Sequence, residues 1–213
     1  MRGIMEIYMI RHGETQWNKE RKLQGRADIP LNEYGIQLAK ITADALQSIP
    51  FTKIYSSPLS RALETARILA HKRPVEILTD NRLVEMGFGE GEGASIELIY
   101  THPELAVYDF IHSPENYIPP VGGESFAQLY SRCDNFIQEV IIPAEKNCDY
   151  MMIVGHGALI RGLIHCINSR PTRDFWIKTH KNCCVSIASC INGSLTLKEE
   201  AKIYYTEKVE ATW

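Results

Sequence analysis

Three segments of this chain run from an apolar strand through a tight turn into a helix start, each with a basic or imidazole side chain at or just past the turn. They are Met9-Ile10-Arg11-His12-Gly13-Glu14-Thr15, Tyr55-Ser56-Ser57-Pro58-Leu59-Ser60-Arg61 and Ile153-Val154-Gly155-His156-Gly157. Repeated strand–turn–helix units constrain the fold, because parallel strands can be joined only by long crossovers, usually helical. The rest of the chain fits this alternation. Residues 4–10 and 51–56 read as strands. Residues 32–48 read as a helix with Tyr34, Leu38, Ile41 and Ala45 on one face. A second helix is expected over 58–70, with Ser57 as N-cap and Pro58 as its first residue. A short strand over 75–78 follows. Residues 87–93 hold four glycines and read as a loop. The stretch 94–111 reads as helical pieces broken at Pro103. A long helix is expected over 124–140, a strand over 151–154 and a helix over 158–166. Residues 183–191 and 194–199 flank Asn192-Gly193, the strongest short hairpin signal.

The expected fold is therefore α/β, a mainly parallel sheet flanked by helices with an antiparallel addition near the C-terminus. One domain over 1–213 is expected, with residues 86–125 inserted as a helical and loop lid over the site. At 213 residues, about 70% of the unfolded surface can be buried, enough for a core without disulfides. Hydrophobic residues make up 45% and the net charge is −3. That balance argues against disorder and, with no basic run longer than His71-Lys72-Arg73, against nucleic-acid binding. No apolar run reaches membrane-spanning length and no secretory leader is evident, so a cytoplasmic protein is expected, its six cysteines reduced.

In an open α/β sheet, ligands bind beyond the carboxyl ends of the strands. The three turns would bring Arg11, His12, Arg61 and His156 to that edge. Singly, an arginine after a strand is usually a surface ion pair, and a histidine beside a glycine a turn residue. Together, two guanidinium groups and two imidazoles near helix N-termini suit a phosphate.

Arg11-His12-Gly13-Glu14-Thr15 resembles the signature of the histidine phosphatase superfamily, the phosphoglycerate mutase-like fold. The resemblance covers nearly the whole chain. It includes Ser57-Pro58-Leu59-Ser60-Arg61-Ala62, Leu83-Val84-Glu85-Met86-Gly87-Phe88-Gly89, Gly122-Gly123-Glu124-Ser125 and Val154-Gly155-His156-Gly157, in the family's order. It implies that His12 is a nucleophile forming a phosphohistidine. Arg11, Arg61 and His156 would clamp the phosphoryl oxygens, and Glu85 would be the proton donor. From its surroundings alone, Glu85 reads as a surface carboxylate. Asn18, Gln24 and Gly25 match phosphate-contacting positions of the family, with loop capping as their other reading. No metal and no cofactor are implied, and the chain carries neither an H-E-x-x-H nor a P-loop motif.

Within the superfamily, the lid separates mutases from phosphatases. Classical mutases carry arginines there for the substrate carboxylate. Residues 86–125 contain no Arg or Lys but seven acids: Glu90, Glu92, Glu97, Glu104, Asp109, Glu115 and Glu124. An acidic lid disfavours a trianion such as phosphoglycerate. The expectation is a metal-independent phosphatase for a small phosphomonoester whose remainder is neutral, polar or apolar. A phosphoglycerate mutase-type enzyme and a non-catalytic phospho-ligand module are the alternatives. Substrate choice is assigned to 86–125 and the C-terminal tail.

Overall fold

The computed structural model describes residues 4–71 and 73–206. The end of the C-terminal tail, expected to share in substrate choice, and Lys72 of the one short basic run lie outside the described residues. In chain order the elements are β1 Met5–Arg11, α1 Gln16–Lys19, α2 Glu33–Ala45, β2 Lys53–Ser56, α3 Ser60–Ala70, β3 Ile77–Thr79, α4 Ile96–Thr101, α5 Tyr108–His112, α6 Phe126–Phe136, α7 Ile142–Ala144, β4 Tyr150–Gly155, α8 Gly157–Asn168, β5 Val185–Ile191 and β6 Ser194–Lys202.

The six strands form one sheet in the order β3-β2-β4-β1-β5-β6. The pairs β3/β2, β2/β4 and β4/β1 are parallel, while β5 and β6 add on antiparallel. This is the mixed α/β arrangement expected from the sequence. Central β1 and β4 are apolar on both faces because helices cover both. Met5, Ile7 and Met9 point into a core shared with α6 and α8. Tyr8 and Ile10 point into a second core shared with α2 and α3. Edge strand β6 instead alternates in exposure. The Asn192-Gly193 turn joins β5 to β6 with both residues at positive φ, 52° and 77°, the pattern of a type I′ hairpin.

Several local expectations shift. The inward face of α2 is Gly35, Leu38, Ala39, Thr42 and Ala43, whereas Tyr34 and Ile41 are 37% and 42% exposed. The cause is close packing. A Cβ on Gly35 would sit 2.1 Å from the Glu14 carbonyl oxygen, so the helix turns its smallest side chain to the loop after β1. Ser57 does not cap α3, which opens at Ser60 rather than Pro58. Asp28 Oδ1 instead accepts from Ser60 N at 2.8 Å, and the Ser57 hydroxyl is taken up by His156. The short third strand lies two residues late, at Ile77–Thr79. The helix expected over 124–140 begins at Phe126 on a Ser125/Gln128 capping box. It then continues through a π turn, Ile137–Ile141, into α7. The wide turn lies just before Pro143, which cannot donate to the preceding turn.

The chain order reverses at β1/β4, with β2 beyond β4 and β5 beyond β1. The register aligns the carboxyl ends: Arg11 opposite Gly155, and Ser56 opposite Val154. That is where an open α/β sheet forms its ligand crevice.

Candidate active site

A cavity of about 230 Å³ opens at this edge, lined by Arg11, His12, Arg61 and Glu85, with the lid residues Phe88, Ile96, Tyr100, Phe110 and Ile111 opposite. Its volume falls just under the ~300–1,000 Å³ usual for drug-sized ligands, so it suits a small metabolite.

His12 follows the last residue of β1. Its Nδ1 lies 2.6 Å from the Gly13 carbonyl oxygen. A carbonyl can only accept, so Nδ1 carries the proton and Nε2 keeps its lone pair. Burial, then Arg61 and Arg11, push the imidazole well below its usual 6.5. His12 is therefore neutral at pH 7. Its loop is fixed on every side. Asn182 Nδ2 donates to the carbonyls of His12 and Gly13, and Gly13 N donates to Thr65 Oγ1. A side chain at Gly13 would strike the Gly35 carbonyl oxygen at 2.5 Å.

His156 stands at the start of α8 with its ring centroid 5.1 Å from that of His12. Its Nε2 lies 2.8 Å from Ser57 Oγ, while its buried Nδ1 has no partner. Ser57 Oγ accepts from Leu59 N and has its own proton to give to His156 Nε2. In that tautomer Nδ1–H is left as a donor. Burial and Arg61 lower this histidine too.

Arg61, fully buried in the first turn of α3, is locked by bonds from Nη1 to the Ala27 carbonyl and from Nη2 to the Gly25 carbonyl, both 2.7 Å. Burial brings it down to about 10, so it remains a cation at neutral pH. Arg11 donates to the carbonyl of His180. His180 is itself held by Glu200, which also pairs with Arg170 through both oxygens.

Glu85 is no surface carboxylate. Its Oε1 accepts from Met86 N at 2.9 Å and Leu159 N at 3.0 Å, and its Oε2 from Ala158 N at 3.2 Å. The carboxyl thus sits on the N-terminal turn of α8, with Oε2 the less engaged oxygen. Asn18 and Gln24 line the cavity, and both turn their amide oxygens to Thr15. Their N–H₂ ends remain for an anion. Gly25 lines the cavity as well, and its carbonyl anchors Arg61. Its φ is +55°, and a Cβ there would meet Glu92 Oε1 at 2.2 Å.

The acidic lid needs correction. Among the described residues that line it Glu85 is the one acid, and none of the seven lid carboxylates reaches the cavity. Glu92 turns inward onto the backbone N–H groups of Arg26, Ala27 and Phe88, and Glu124 pairs with Arg26 and Arg132. The lid presents an apolar, largely aromatic wall. The sequence reading also passed over Arg161, whose signal was present: it lies one helical turn beyond Gly157 on the same face. Asn182 had no local signal, since it meets the His12 loop only through the fold. Among the described residues, no three His, Cys, Asp or Glu side chains gather to hold a metal ion, and no helix is long and apolar enough to cross a membrane.

The two neutral histidines make stability pH-dependent. Both are lowered in the fold, so below pH 6.5 the unfolded chain binds protons that the native chain does not, and stability falls as pH falls. Between pH 6.5 and 5.5 each should cost about 1 kcal/mol, and His180, which burial lowers to about 4, should add about as much, for about 3 kcal/mol in all. Urea unfolding midpoints at pH 7.5, 6.5 and 5.5 measure this, and a flat series would show that the imidazoles titrate normally.

The sequence profile of the histidine phosphatase superfamily (branch 1) matches residues 7–202. Phosphoglycerate mutase-like protein 4 of Arabidopsis thaliana is 40% identical over 170 residues, covering 78% of this chain and 72% of that protein. The solved structure of Bacillus stearothermophilus YhfR superposes with a TM-score of 0.84 at 30% identity, covering 93% of this chain and 98% of that one. A mutant phosphoserine phosphatase from Entamoeba histolytica, solved in complex with phosphoserine, superposes with a TM-score of 0.80 at 27% identity, covering 92% and 95%. With this breadth of match in sequence and fold, the chain belongs to the histidine phosphatase superfamily.

Proposed function

We propose that the protein is a metal-independent phosphatase that hydrolyses a small phosphomonoester through a phosphohistidine on His12. The observation that carries this reading is the tautomer of His12: with Nδ1–H held by the Gly13 carbonyl and the ring neutral, Nε2 is an available nucleophile beside two guanidinium groups. Nε2 attacks phosphorus in line, forming the P–N bond as the ester P–O bond breaks. Arg11, Arg61 and the His156 Nδ1–H bind the equatorial oxygens, over which the transition state spreads charge. Glu85, protonated at Oε2, gives its proton to the leaving alkoxide. Water then attacks the phosphohistidine and passes a proton back to Glu85. Inorganic phosphate leaves and the Nε2 lone pair is restored. Asn18 and Gln24 add N–H donors to the phosphoryl group, and Gly25 acts through Arg61.

Hydrolysis rather than transfer is favoured by the lid, which brings no Arg or Lys to the cavity, and by the phosphatase named above among the structural relatives. The mutase reading draws on the A. thaliana relative's name. A phosphorus NMR time course in EDTA separates the two. Phosphatase action gives inorganic phosphate from a panel of phosphomonoesters. Interconversion of 3- and 2-phosphoglycerate in the presence of 2,3-bisphosphoglycerate, without net phosphate release, would make the protein a mutase.

A further inference from the structure

Beyond the phosphoryl clamp of Arg11 and Arg61, the cavity is also lined by Arg21 and Lys22, from the loop after α1, and by Arg161, the buried one of the three. Arg161 is 6% exposed and lines the cavity. Burial lowers it to about 10, so it is charged at neutral pH. Its Nη1 and Nη2 donate to the carbonyls of Gly157 and Lys178, and its guanidinium stacks over the Trp176 ring at 4.6 Å. These contacts fix its orientation without neutralising it. No carboxylate pairs with it among the described residues, and its buried Nε has no hydrogen-bond partner. An uncompensated buried cation is costly, which argues that its anion arrives with a ligand.

A Cβ built on Gly157 would lie 3.5 Å from Arg161 Nη1 and 3.7 Å from Arg11 Nε. The two guanidinium groups therefore approach the same point, with Arg161 one helical turn beyond Gly157 in α8. Resting on the phosphatase reading, we propose that Arg161 is a specificity-determining residue that selects phosphomonoesters carrying a second anionic group, such as a carboxylate, beside the ester. This reverses the neutral remainder expected from an acidic lid, because no lid carboxylate lines the cavity to repel that group. A neutral substrate would leave the remaining Arg161 N–H groups and their charge unanswered, and a site built for a polar group penalises its absence. The carbon body would lie against the lid wall formed by Phe88, Tyr100 and Phe110.

Phenyl, 3-carboxyphenyl and 3-(aminomethyl)phenyl phosphate test this, as they differ chiefly in one charge. For the wild-type protein, kcat/KM for phosphate release should favour the carboxylated ester over phenyl phosphate by about 10- to 100-fold, with the ammonium ester poorest. In Arg161→Met the preference should collapse toward one, and Arg161→Lys should restore part of it. Equal wild-type rates on all three esters, or an equal loss on phenyl and carboxyphenyl phosphate in Arg161→Met, would overturn the proposal. The second result would place Arg161 in the phosphoryl clamp. Should Arg161→Met not fold, the wild-type order and Arg161→Lys decide. If no ester releases phosphate, the phosphatase reading fails by itself. Calorimetric Kd values of the same esters then decide the inference: tighter binding of the carboxylated ester upholds it and equal binding overturns it.

Discussion

Replacing His12 by alanine is expected to lower phosphate release by about 10⁴-fold or more while leaving the fold and phosphate binding in place. The loss is large because the neighbouring imidazole is not free to take over: His156 Nε2 is hydrogen-bonded to the Ser57 hydroxyl. The fold survives because the imidazole contributes one hydrogen bond, to the carbonyl of Gly13, which Asn182 also holds. Removing a ring kept neutral by burial and two guanidinium groups also removes the penalty it pays below pH 6.5. Arg11, Arg61 and the His156 Nδ1–H remain, so inorganic phosphate should bind His12→Ala with an affinity close to that of the wild type. Quenching the wild type into alkaline detergent during turnover should trap an acid-labile, base-stable phosphoprotein that is missing in the variant. Turnover retained by His12→Ala would end the phosphohistidine mechanism.

The parts of this site that could be read from the sequence are those whose surroundings are local. Arg11, His12 and His156 sit at the ends of apolar strands, and Arg61 opens a periodic helix, so strand–turn–helix pattern alone brings them to one edge. The parts that could not be read depend on contacts across the chain. Ser57 has the residue type and position of an N-cap, but the cap of α3 comes from Asp28, 32 residues earlier, which frees the hydroxyl for His156. The inward face of α2 is not the one its large side chains predict, because Gly35 must approach the loop of Gly13 and Glu14. The lid is the most instructive case. Its composition is acidic, yet where each acid points is set by backbone N–H groups and arginines outside the segment, such as those that draw in Glu92 and Glu124. Net charge of a segment therefore says little about the charge of the surface it presents to a ligand. Arg161 carries the converse lesson: helical period from Gly157 brings it to the cavity, which none of the seven lid acids lines.

Glu85→Gln is expected to split substrates by leaving group. For alkyl phosphates, whose alkoxides cannot leave unprotonated, kcat/KM should fall by about 10²- to 10⁴-fold, the usual contribution of a general acid. For p-nitrophenyl phosphate, whose nitrophenolate needs no proton, kcat/KM should fall far less. The second half-reaction is common to every substrate, since the same phosphohistidine must be hydrolysed by water that Glu85 activates. In the variant that step becomes slow, so kcat should drop to a shared low value for all esters. With p-nitrophenyl phosphate, a burst of one equivalent of nitrophenolate per active site should precede slow turnover. The substitution is nearly isosteric, but it is not silent structurally. Two backbone donors can still reach an amide oxygen in the place of Oε1, whereas the N–H of Ala158, now bonded to Oε2, would face an amide N–H₂. That mismatch should lower stability by about 1–3 kcal/mol, and it affects every substrate alike. It therefore cannot imitate a selective loss. Equal losses in kcat/KM for alkyl and nitrophenyl esters, with no burst, would make Glu85 a brace for the start of α8 and leave the protonation of the leaving group to the substrate's own phosphate.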